Sequence, residues 1–265
     1  MGHTRLGYNL PRSRHWRDVV ELVAAGADVS QVAQATINAA EKAFAFVKND
    51  TGYNHAVWII IQLGLAGKSA DPLGYLQERG ICIPANTSLP GIAVALSEAF
   101  DNHSRSNGGF SDLGELSQRA LIDAVIQRIE PKLQQKSLFN MQAEHAKQAL
   151  CGISSQKELG KLAREFYARL TNESLKYFLS QTLASNVGEG QRFATTNQMA
   201  QFEEAIGTHC KEASVIVERF SEEWFSKHRY EQEGRIPDDK IRDFASYALK
   251  KMNDELREGA KTNAT

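Results

Sequence analysis

The stretch "IIIQLGLAGKSADP", residues 59–72, decides between two folds. As a phosphate-binding loop it would join a strand to a helix in a parallel α/β sheet. As a helix end it belongs to an all-helical protein. The loop pattern is G-x-x-x-x-G-K-[ST]: backbone N–H groups wrap the phosphates, and the lysine reaches the outer ones. Gly67-Lys68-Ser69 supplies the second half. The first glycine should stand at residue 62, which is Gln62, and Gly64 comes two places late. Asp71-Pro72 then opens a helix of its own, a cap followed by a first-turn proline. No run of alternating strands and helices surrounds the stretch. The glycines therefore close one buried helix, with Lys68 near its last carbonyls, and the fold class is all-α.

Helical signals continue on both sides. Ser13 caps a helix through Ala25, with Trp16, Val19, Val20 and Val23 on one face and Gly26 as the stop. Ser30 is expected to open a helix to about Lys48. Ser88 with Pro90 starts another, to about Phe100. The polar segment "DNHSRSNGGFS" (101–111) reads as a boundary, and Asp112–Glu115 as a capping box for a helix ending near Pro131. A helix over 141–151 follows. Ser155 and Glu158 form a second capping box at the head of a long amphipathic stretch through Leu183. After the loop "SNVGEGQRF" (185–193), apolar residues recur from Met199 through Phe202, Ile206, Ala213 and Phe220 to Trp224, a continuous seam with His209 on it. Pro237 begins a last helix, with Ile241, Phe244, Ala248, Met252 and Leu256 inward. Only Val57–Ile61 and Ile81–Ile83 invite strands. The expected architecture is eight to ten helices. An N-terminal helical region (1–107) with a basic arm packs on a C-terminal bundle (108–265), or the two form one domain over 1–265.

Composition sets the class. The chain has 265 residues, 42% of them hydrophobic, enough for a sizeable core, and a formal net charge of −1. Near-neutrality gives no global case for nucleic acid or membrane. The longest apolar run, Ala56–Ala66, is far short of a bilayer span of ~20 residues. Cys82, Cys151 and Cys210 are an odd, widely spaced set, and "MGHTRLGYNL" has no apolar signal core. Both favour free thiols in a reducing cytoplasm.

Catalytic and cofactor patterns are broken throughout. Gly188-Glu-Gly190-Gln-Arg192 lacks the third glycine of a dinucleotide loop, because residue 193 is Phe193. Backbone N–H groups near Gly190 with Arg192 remain a candidate anion site. His209-Cys210 with Glu212 makes no metal pattern. Ser154-Ser-Gln-Lys157 has Ser-x-x-Lys spacing without its companion elements. No catalytic residue, metal or cofactor is assigned.

Two surface features remain. Arg5, Arg12, Arg14 and Arg17 interleave with Tyr8 and Trp16 in an arm with no acid before Asp18. The arm can dock on protein or on phosphates. Trp224, Phe225 and Tyr230 form an aromatic group on a charged helix and are candidate contact residues. The expectation is a non-enzymatic helical interaction protein, an adaptor or structural subunit of a larger cytosolic assembly, with a protein partner or self-association and no membrane. One alternative is a nucleic-acid-binding accessory factor acting through residues 5–17. Another is an enzyme with a non-local site near His209 or the 188–192 loop.

Overall fold

The computed structural model describes residues 4–7, 13–45, 47–85, 87–107, 109, 111–134, 148, 150–231 and 235–262. Among these the protein is all-helical, with nine long helices packed together and no strand. In chain order the long ones are α1 (Arg14–Ala24), α2 (Val29–Ala39), α4 (Thr51–Ala66), α6 (Leu89–Ser106), α7 (Asp112–Gln134), α8 (Gln156–Ala184), α9 (Thr196–Ala213), α10 (Val215–Glu231) and α11 (Asp238–Thr262). Two short ones, α3 (Glu41–Ala45) and α5 (Pro72–Gln77), complete the set.

Capping chemistry sets most of the starts. The Ser13 side chain accepts from the Trp16 N–H, Asp71 from Gly74, Ser88 from Gly91 and Ser155 from Glu158. The start of α2 differs from expectation. Asp28, not Ser30, is its cap, because Asp28 and Gln31 exchange both bonds of a capping box. The chain then leaves the helix at Ala40. That turn drops Val47 into the core and sets Asp50 as the cap of α4. The segment 101–106, expected as loop, is the last turn and a half of α6. Ser111, rather than Asp112, caps α7 through the Gly114 N–H. Asp112 instead accepts from the Leu6 N–H and the Tyr177 hydroxyl. The helix expected over 141–151 lies mostly outside the described residues. The seam from Met199 to Trp224 is broken at Ser214, which is buried and turns its hydroxyl back to the Lys211 carbonyl at 2.7 Å.

The central helix is α8, with α7, α9 and α10 against its flanks. Helix α4 packs on α7 and crosses α8, and α11 lies against α2, α4 and α10. The end of α4 packs closely on α8 and α10 through Gly64, and its cap Gly67 packs on the 151–154 segment just before α8. A Cβ at Gly64 would stand 2.9 Å from Leu159 and 3.2 Å from Phe225, and one at Gly67 2.4 Å from Ser154. Gly67 has an ordinary helical φ of −67°. These glycines serve approach between helices, not a phosphate and not a left-handed turn. Lys68 follows, exposed.

Where α4, α8 and α11 meet, the core holds a polar pin. The Tyr53 hydroxyl donates to the Ala245 carbonyl at 2.6 Å and lies 2.9 Å from the Tyr167 hydroxyl, with both rings fully buried. Burial pushes the Tyr53 pKa well above its ordinary value, with Tyr167 adding to the shift, so both groups stay neutral and bonded.

Candidate functional site: an aromatic ridge and a polar cleft

The structure separates the residues that the sequence singled out. At the arm, Thr4–Gly7 dock on the start of α7: the Asp112 N–H donates to the Thr4 carbonyl, and the Leu6 N–H to the Asp112 carboxylate, each at 3.0 Å. Arg5 is exposed beside this contact, and Arg14 and Arg17 are exposed on α1. Trp16 points the other way and is core, 7% exposed. Arg12 lies outside the described residues.

Arg192, expected beside an anion, makes bonds within the chain. Its guanidinium donates to the Val23 carbonyl at 3.0 Å and the Ala27 carbonyl at 2.5 Å, across the end of α1. It also lies over the Phe202 ring at 4.3 Å. These two bonds tie the 185–193 loop to the α1–α2 corner. Gly190 takes a left-handed φ of +73°, with the loop closed by the Gly188 N–H on the Phe193 carbonyl. His209 is half-buried, its Nε2 lacks a hydrogen-bond partner, and burial lowers its pKa. Next to it Cys210 is fully buried, and burial pushes its thiol up to about 12. Among the described residues, no three His, Cys, Asp or Glu side chains gather as a metal cluster.

The C-terminal aromatic group divides. Phe225 is fully buried against α4, which removes it from any contact surface. Trp224 is half-buried and stacks on His228 at 4.4 Å and Phe244 at 4.5 Å. Phe220, also half-buried, lies 5.4 Å from Phe244 and 4.9 Å from Tyr247. Tyr247 is 46% exposed and Tyr230 is 89% exposed. The result is an aromatic ridge along α10 and α11, anchored underneath by Phe244 and open above at Tyr247, with Tyr230 exposed near the end of α10.

A second feature had no sequence signature. A cleft of about 640 Å³ opens where the starts of α4 and α11 meet the end of α6. One wall holds three near-parallel rings. His55 and His103 stack at 3.7 Å with 2° between their planes, and Trp58 lies 5.3 Å from His55 at 15°. The Trp58 indole N–H donates to Asp238 at 3.0 Å, which joins α4 to α11. Burial lowers the His55 pKa to about 3, with the neighbouring His103 ring adding to it; a bond to the Ala99 backbone works the other way. Burial lowers His103 too. Both rings are neutral at pH 7, which the 3.7 Å stack requires, since two imidazolium rings would repel at that distance. Nor can the pair chelate one metal ion face to face. Each ring nitrogen offers its lone pair in its own plane, and the planes are parallel.

The other walls carry Lys48, Arg79 and Arg242, with Asn54 and Asn107 between them. Arg79 is held in place: its guanidinium lies 3.5 Å above the Tyr75 ring, donates to the Tyr75 carbonyl and stands 3.7 Å from Glu78. The Tyr75 hydroxyl donates to the buried Gln62 at 2.9 Å. The signal that could have found the cleft is His55 itself, a polar residue directly ahead of the apolar run Ala56–Ala66 yet buried in α4.

Comparisons with known protein families, with curated proteins and with solved structures find no match for this chain. No helix among the described residues is long and apolar enough to cross a membrane.

Proposed function

We propose that this chain is a non-enzymatic helical interaction protein, an adaptor or structural subunit of a larger cytosolic assembly. The observation that carries the reading is the ridge on α10 and α11. Tyr230 and Tyr247 are the most exposed aromatic side chains on it, at 89% and 46%. Tyr247 lies 4.9 Å from half-buried Phe220 with Lys251 over its ring. Tyr230 stands six residues beyond Trp224 on the same helix, which also carries the exposed charges of Glu223 and Lys227. Stiff aromatic surface inside a charged rim is the composition of a protein contact. The exposed, unpaired Cys82 fits a reducing compartment.

The test places a photo-reactive side chain at Tyr230 in the full chain, in its native cell. The expected product is a cross-linked protein partner or a cross-linked second copy. Capture should fall about tenfold or more in the Y230A/Y247A double variant, because two exposed aromatic contacts are lost. A chain that stays monomeric and yields no cross-link sinks the reading. Arg14 and Arg17, exposed and without an ion pair among the described residues, keep a second reading in view. Recovery of DNA or RNA, released by salt and lost in R14A/R17A, would install it in place of the first.

A further inference from the structure

We propose that the cleft bounded by α4, α6 and α11 is a binding site for a small ligand that joins a flat heteroaromatic ring to a phosphate group, the chemistry of a mononucleotide. Four observations converge. The volume of about 640 Å³ falls within the ~300–1,000 Å³ of small-molecule sites. Among the lining residues Lys48, Arg79 and Arg242 outnumber one carboxylate, Asp238, and although Arg79 stands 3.7 Å from Glu78, Lys48 and Arg242 leave the cleft positive. A phosphate monoester carries about −1.5 to −2 at pH 7, the opposite sign. Asp238 also already accepts from the Trp58 indole, and this bond holds it against that wall.

The ring half of the ligand follows from the near-parallel wall. His55 is fixed inside it, while Trp58 and His103 are only half-buried and show ring surface to the cleft. Flat neutral π surface favours a stacked heteroaromatic ring and tolerates different bases. Asn107 adds an amide for polar edges, although it also donates to the His103 carbonyl at 3.0 Å, while the Asn54 amide already donates to the Lys48 and Asp50 carbonyls.

Helix ends of both polarities lie at the cleft. Thr51 and Asn54 lie in the first turn of α4 and Asp238 in that of α11, so the starts of two helices border the cleft, that of α4 already capped by Asp50. The C-terminal ends of α6, at His103 and Asn107, and of α5, just before Arg79, border it too. The site is separate from the defective phosphate loop at 64–69, since Lys48 and Arg242 supply its charge. It is also independent of the aromatic ridge.

The experiment is calorimetric titration of the full chain with AMP and with UMP, beside adenosine, uridine and ribose 5-phosphate. Expected is saturable one-to-one binding of at least one mononucleotide, with the matching nucleoside and the sugar phosphate each about tenfold or more weaker. The K48E/R242E variant changes two exposed side chains and should weaken nucleotide binding about tenfold or more with its thermal unfolding unchanged. W58A should cost about tenfold through the lost ring. If W58A is destabilised, W58L read against an unchanged circular dichroism spectrum carries the same comparison. No binding of either nucleotide overturns the assignment. So does binding that K48E/R242E leaves intact, which would place it elsewhere. Ribose 5-phosphate binding as tightly as AMP and UMP overturns the aromatic part.

Discussion

His55 shows how one buried side chain ties stability to pH. In the unfolded chain its imidazole titrates near the ordinary value of 6.5, and in the folded chain near 3. Between these values the unfolded state holds a proton that the folded state refuses. Stability is therefore fully present above pH 6.5 and drains away as pH falls toward 3. Each pH unit crossed removes up to about 1.4 kcal/mol. His103, lowered by its own burial, acts in the same direction. Carboxylates elsewhere also titrate in this range, so the informative quantity is a difference. Urea unfolding midpoints of the wild type and of H55Q, followed from pH 7 to pH 4, should converge as pH falls. The wild type loses the protonation term, and H55Q does not. Parallel curves would mean that the His55 ring takes up its proton in the folded state as readily as in the unfolded one.

The junction between α4 and α8 shows how an element can be misread from its motif. Gly67 carries an ordinary helical φ, so alanine there suits the local backbone. The obstacle is tertiary: the added carbon meets the Ser154 side chain at 2.4 Å and the Cys151 Cα at 3.1 Å. G67A should lose about 1–3 kcal/mol through overpacking, measured by urea unfolding. K68A, at an exposed position, should stay within about 0.5 kcal/mol of wild type. A stabilised G67A would show that the local backbone term outweighs the close approach. At this scale much of the fold was legible, because caps and apolar periodicity are local. Ser13, Asp71, Ser88 and Ser155 sit where a cap is needed, and the inward face of α11 follows its 3.6-residue period. Two competing oxygens were not legible. The Asp28–Gln31 box displaced Ser30, and the buried Ser214 hydroxyl divided a seam that apolar spacing alone makes continuous. The cleft was least legible of all. His55, His103 and Asp238 sit on three helices, and 101–106 reads as loop by composition although it is helical. Chemistry assembled by tertiary packing leaves no spacing in the chain.

For the whole molecule the question is whether the chain melts as one body. The polar tract at 101–111 suggested a break, but α6 runs on to Ser106 and α7 starts at Asp112, so only a short connection separates them. Yet one hydrophobic core runs from Trp16 and Val19 on α1 to Met252 and Leu256 on α11. The N-terminal helices do not close a core of their own. Helix α4 packs on α7, α8 and α11, and its Gly52 stands so near Gly114 that a Cβ there would be 2.7 Å from the Gly114 backbone. The Tyr53–Tyr167–Ala245 pin joins α4, α8 and α11 with fully buried polar atoms. Splitting the chain at 107/108 would break those hydrogen bonds, each worth about 0.5–1.5 kcal/mol net, and expose the apolar faces around them. The expected result is a single calorimetric transition whose calorimetric and van't Hoff enthalpies agree. Fragments 1–107 and 108–265, made separately, should lack cooperative thermal transitions, and mixing them should restore helical signal through the shared core. Two resolved transitions in the intact chain, or a cooperative melt from either fragment alone, would show instead that the tract at 101–111 divides two bodies able to fold apart.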